Sequence, residues 1–156
     1  MEDLLLSIHV LAGIVFVGGS AVATSLFPRY APAAATVSAD SPPGASAGRN
    51  HAVAVMLHRI TRGYSLLGLI VPAAGIILAF VQGRSGEIWI TVAMILTAAA
   101  GILLALQIYP RQSAALTAPG RPDQARTLSM LAGVYNLLWA IVVVLMIVRP
   151  GATYGV

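Results

Sequence analysis

One ionisable side chain lies within the long apolar stretches of this 156-residue chain, and it is His9. A titratable group at such a place is costly in lipid and marks a candidate functional site. An imidazole there has two chemical uses. It can ligate a metal or a haem iron, alone or with a second His or Met. It can also stay neutral and donate to a backbone carbonyl or a lipid headgroup, and the sequence leaves both open. Gly13, one turn deeper on the same face, leaves a gap without a side chain beneath the ring, as a porphyrin requires. His51 and His58 precede the second apolar run and read as solvated; some 18 residues of helix, ~27 Å, separate their end of the bundle from His9. A second ligand must therefore come from the depth of His9, where Met94 and Met146 fall. His9 is the metal-ligand candidate, with Gly13, Met94 and Met146 completing a cofactor-binding set for haem b, or a soft His/Met site for Cu(I).

The elements that position these residues follow from composition. The chain is 58% hydrophobic and 9% charged, against roughly 45–50% and 25% in soluble domains. Too few charges remain to cover a water-facing surface. With Cys absent, disulfides and thiolate chemistry are excluded. The net charge of +4 is scattered, whereas nucleic-acid binding needs a clustered basic face. Four apolar runs, Leu4–Phe27, Tyr64–Val81, Ile88–Tyr109 and Leu128–Val148, contain no Lys, Arg, Asp or Glu. Each reaches the length a helix needs to cross ~30 Å of hydrocarbon. None alternates with period two, so a barrel is excluded. The expectation is an all-α membrane protein, a single four-transmembrane-helix bundle over residues 1–156. Glu2 and Asp3 stand where a signal peptide carries positive charge, so the first run reads as a retained span.

All nine basic residues are Arg: Arg29, Arg49, Arg59, Arg62, Arg111, Arg121 and Arg126 fall on one side, Arg84 and Arg149 on the other. The positive-inside rule predicts both long connections in the cytoplasm and both termini outside, in a bacterial plasma (inner) membrane. Residues 32–48, rich in Ala, Ser, Pro and Gly, read as a flexible cytoplasmic loop.

Helices in lipid associate through small and polar residues. At about 100° per residue, His9, Gly13, Phe16, Ser20 and Thr24 share one arc and are expected to face inward. Met94, Ala98, Gly101 and Ala105 form a smooth trough on the third run; Tyr135, Trp139, Val142 and Met146 share a face of the fourth. Pro72 leaves the Gly68 carbonyl without its usual donor and predicts a kink, and Gly68 and Gly75 allow a neighbouring helix close. Asp123 is placed to cap the fourth helix. Asn136 and the aromatic pair beside it read as packing and interface groups.

These residues carry a resemblance. Ile8-His9-Val10-Leu11-Ala12-Gly13 followed by Phe16, Gly18 and Gly19, the Pro28-Arg29 step, Arg59/Arg62 with Pro72 and Gly75, and the stretch from Asn136 to Arg149-Pro150 resemble a superfamily of small bacterial membrane proteins. It comprises HemJ-type protoporphyrinogen oxidases, copper-associated CopD proteins, and four-helix relatives of unassigned function. The resemblance implies a four-helix fold and haem association at the first-helix His, here His9. HemJ-type activity is associated with a third-helix Lys, and this chain contains no Lys; the branch of unassigned function is the better match, and it implies a fold and no activity. The expectation is therefore a non-catalytic integral membrane protein, an accessory subunit or small haem-associated component of a larger membrane assembly, with the bilayer and other subunits as partners. A b-type haem protein with His9 as axial ligand and a CopD-like copper-handling protein are the alternatives.

Overall fold

A computed structural model describes residues 2–31, 45–68, 70–118 and 122–151. Among them there is no strand, and four helical segments are long and apolar enough to cross a membrane. Lipid offers the backbone no hydrogen bonds, so each span satisfies its own peptide groups as helix.

The first span comprises α1 (Glu2–Ala12), a π-helical segment (Gly13–Gly18) and α2 (Gly19–Tyr30). The widened turns begin and end on glycines, which hold α-helical geometry weakly. The second span is α3 (Ala45–Leu67) followed by α4 (Ile70–Val81). Its interruption falls one turn before Pro72, where proline withholds a donor. The Gly68 carbonyl instead takes the Val71 N–H at 3.2 Å, a tighter closure. Of the stretch expected to be a flexible loop, 32–44 lies outside the described residues, and 45–48 open α3.

At the end of α4, Gly83 (φ +66°) allows the Arg84 N–H to reach the Ala79 carbonyl at 2.9 Å and the Gly83 N–H the Phe80 carbonyl at 3.1 Å. This is a Schellman closure, which needs a left-handed residue. The third span is α5 (Ile88–Ile102), a second π-helical segment (Leu103–Ile108) and α6 (Tyr109–Thr117). It outruns the apolar run by eight residues. The fourth is α7 (Pro122–Val148). Pro122 stands at its first position, where a missing N–H costs nothing. Asp123 therefore lies inside the first turn rather than at the cap, and its charge favours the helix dipole from there.

The first span packs on the second along its length, α1 on α4 and α2 on α3, and on the fourth through α2 and α7. The third packs on the fourth through α5 and α7, and meets the second chiefly through α3 and α6. The first and last described residues thus lie at one end of the bundle, and Ala31, Ala45, Ala118 and Pro122 at the other, the connection end. The core sits toward the connection end around Phe27, with Ala23, Leu57, Leu104, Ile108 and Leu128 against it. Outside, the helices expose large apolar groups such as Ile88 and Ile147, a surface suited to lipid.

At the terminal end a small clasp ties the turn between the second and third spans to the end of the fourth. Glu87 accepts from Arg84 Nε at 2.6 Å and from the Trp89 indole N–H. The guanidiniums of Arg84 and Arg149 each lie 5.9 Å from the Trp89 ring centre, within cation–π range. The Arg84 hydrogen bond, then the Trp89 one, hold the Glu87 carboxyl below its ordinary value of 4.5. A depressed carboxyl contributes stability above its unfolded pKa and loses it as pH falls through the folded one. Thermal stability is therefore expected to decline as pH drops below about 4.5, and Glu87→Gln should flatten that decline. A melting-temperature series from pH 6 down to about pH 3 checks it.

Candidate ligand site at His9

His9 lies half-buried on α1 and faces α4. Its Nδ1 is 3.1 Å from the Val71 carbonyl oxygen. A carbonyl can only accept, so Nδ1 carries the proton and the ring is fixed as one tautomer. Nε2 then holds its lone pair, and it makes no hydrogen bond among the described residues. The ring rests on Gly75: a Cβ built there would stand 2.9 Å from His9 Cε1. Gly13, a turn further on, has nothing within 4 Å of where its Cβ would be. The gap read from the sequence is open space. One imidazole nitrogen is thus anchored to the backbone and the other left to bind, the arrangement typical of ligating histidines.

Below His9 the same stripe continues inward. Phe16 meets Tyr64 edge-on with ring centres 5.9 Å apart. Gly19 makes room for that tyrosine, since a Cβ there would overlap its ring. Ser20 Oγ and the Tyr135 hydroxyl share a buried hydrogen bond of 2.7 Å, and Thr24 donates to the Ser20 carbonyl at 2.9 Å. The fourth-span face also looks in, with Tyr135 and Val142 buried and Trp139 and Met146 partly so.

The third-span trough is corrected. Met94 is 45% exposed, and Ala98, Gly101 and Ala105 are exposed with it. The buried side of that span is Ala93, Ala100, Leu104 and Ile108. Leucine and isoleucine fill the space around Phe27, which the small residues could not. Met94 lines a cavity of about 300 Å³ between α4 and α5 with Ile76, Phe80 and Ile95. Met146 is on the last turn of α7, where its carbonyl accepts from Arg149. Neither sulfur hydrogen-bonds His9, whose polar partner is on the second span.

A polar cluster at the connection end escaped the sequence reading. Gln112, 0% exposed, accepts from His58 Nδ1 at 3.3 Å, and His58 stacks on Tyr109 at 4.8 Å between ring centres. His58 is therefore half-buried between helices rather than solvated; His51 is exposed. The available signal was the i, i+4, i+7 spacing of Ile108, Gln112 and Ala115, which continues the helix past Tyr109. Among the described residues, Gln112 Nε2, Asn136 Oδ1 and Trp139 Nε1 are buried without a hydrogen-bond partner, and no three His, Asp or Glu group together.

Comparison with known proteins places no relative beside this arrangement: no family model, no curated protein and no solved structure matches the chain. The fold and composition define a four-helix protein of the membrane, with one imidazole nitrogen presented at its flank.

Proposed function

We propose that this chain is a non-catalytic accessory subunit of a larger membrane assembly, a HemJ/CopD-like bundle in the bacterial plasma membrane with its long connections cytoplasmic. The outward stripe Ala98, Gly101 and Ala105 carries the reading. Small residues on a helix surface let another backbone approach closely, which is how helices associate where the hydrophobic effect is absent. This chain turns that stripe away from its own core. The fourth span adds exposed Gly133, with nothing within 4 Å of its Cβ position. Beside it, a cleft of about 290 Å³ is lined by Ala21, Ser25 and Asn136. There Asn136 donates to Ser25 at 2.8 Å. A polar pair at a lipid-facing cleft is stabilised when a neighbouring helix covers it.

Gly101→Leu tests this. Nothing lies within 4 Å of the new Cβ, so the bundle itself should be unchanged. The native mass in mild detergent should fall from that of a complex to that of a single chain. A wild-type protein that already runs as a single chain sinks the reading.

The His9 geometry favours a second reading, a b-type haem component. Nε2 is the candidate axial ligand, Val71 fixes the tautomer, and the glycines at 13 and 75 leave the ring uncrowded. Haem would supply one-electron transfer or tetrapyrrole chemistry at that flank.

A further inference from the structure

We propose that the connection end of the bundle binds anionic phospholipid through a ring of exposed arginines. Four exposed arginines, one on each span, carry it. Arg29 stands two residues after Phe27, Arg62 two before Tyr64, Arg111 two after Tyr109, and Arg126 two before Leu128. Those four partners are the boundary residues of the apolar runs at that end. Each span thus carries one guanidinium beyond its apolar run, toward the connection end. Arg59, one turn further out on α3, adds a fifth. All five are exposed. Their helices pack in sequence, α2 on α3, α3 on α6 and α6 on α7, so the charges encircle one end of the molecule.

Among the described residues the ring is uncompensated. Among the described residues the recorded ion pair is Arg84–Glu87, at the opposite end. Asp123 is the one acid described at the connection end, so among the described residues there one carboxylate stands against these five guanidiniums. Arg111 uses one terminal nitrogen on the carbonyl and side chain of Gln107, on its own helix. The side chains of Arg29, Arg59, Arg62 and Arg126 make no hydrogen bond to described residues. Each guanidinium offers five N–H donors in a fork that matches phosphate oxygens. Half-buried Tyr30 sits one residue from Arg29, the position of an interfacial aromatic anchor.

A phosphate-bearing lipid suits this ring better than a soluble anion. Directly beneath it the helices expose Leu66, Leu106 and Met130, against which acyl chains would lie. A choline headgroup brings its own cation and leaves the ring's surplus charge unanswered; phosphatidylglycerol brings none.

The experiment is native mass spectrometry of the full chain, released from micelles holding equal phosphatidylglycerol and phosphatidylcholine with identical acyl chains. Wild type should retain phosphatidylglycerol about tenfold over phosphatidylcholine, with the excess shrinking as salt rises. The triple change Arg59→Gln, Arg62→Gln, Arg111→Gln should bring the ratio to about one. The corresponding triple Lys variant should keep most of it, and Arg149→Gln at the far end all of it. Circular dichroism confirms that each variant is folded, and the Lys variant carries the test if the Gln variant is not. Equal retention of both lipids by wild type, or a Gln variant with undiminished preference, overturns the proposal. So does a preference abolished by millimolar inorganic phosphate, which would make the ring a site for free phosphate.

Discussion

Truncation of Phe27 to alanine is expected to cost about 3–5 kcal/mol of stability, the range for a buried aromatic. Phe27 is 0% exposed and belongs to a buried cluster that all four spans share, with Leu57 of the second, Leu104 and Ile108 of the third, and Leu128 of the fourth. The origin of the cost differs from that in a soluble core. Lipid is as apolar as the interior, so moving a ring between them gains little by transfer. What the ring supplies is close contact on all sides, each atom pair worth only ~0.1–0.2 kcal/mol but many acting together. Collapse cannot recover much, because Ala23, Ala54, Ala100 and Ala115 belong to the same cluster and their methyl groups have no rotamer that could swing in. Phe80→Ala is the control. That ring is 67% exposed on the outer surface, and its loss should change stability by no more than about 0.5 kcal/mol. Reversible unfolding in mixed detergent micelles, followed by tryptophan fluorescence, gives both values. Equal losses would show that the helices are held by general apolarity rather than by fit.

The contrast between those two phenylalanines marks the limit of what could be read from the chain alone. Four spans were legible because lipid imposes a length and a composition on each, and Leu4–Phe27 or Leu128–Val148 admits no other account. The break before Pro72 was legible because it depends on one missing donor. So was the inward stripe from His9 to Thr24, since its polar residues have a reason to avoid lipid. Direction was not legible where every side of a helix is apolar. On the third span Ala98, Gly101 and Ala105 looked like a packing surface, and their smallness said nothing about whose. The Leu104–Ile108 side won the interior because the cavity around Phe27 needed volume. His58 was misread for a related reason. Its partners Tyr109 and Gln112 lie on α6, and ending the third helix at Tyr109 removed the surface that covers it. The π-helical segments had only their glycines as a signal at Gly13–Gly18, and none at Leu103–Ile108.

His9→Ala is expected to abolish haem uptake entirely under the second reading, leaving a folded protein without a Soret band after expression with ample haem. Loss of a ligand alone would not separate that reading from a damaged helix, and the neighbouring glycines supply the separation. In Gly75→Val the imidazole remains, but the new Cβ stands 2.9 Å from where Cε1 now lies. The ring must leave Val71, and Nδ1 loses the carbonyl that fixes its tautomer. Loss of such an outer partner weakens metal binding by roughly 10–100-fold, so haem affinity should drop by that order in a titration of the apoprotein. Gly13→Leu changes neither the imidazole nor its anchor and fills only open space, the volume a porphyrin would use. It should weaken haem binding while leaving thermal stability unchanged. The three variants thus remove the ligand, its orientation and its room, one at a time. Wild-type protein that stays colourless with ample haem ends the haem reading and leaves His9 as a polar tie between α1 and α4. Its worth is then that of one hydrogen bond in lipid, about 0.6–2 kcal/mol.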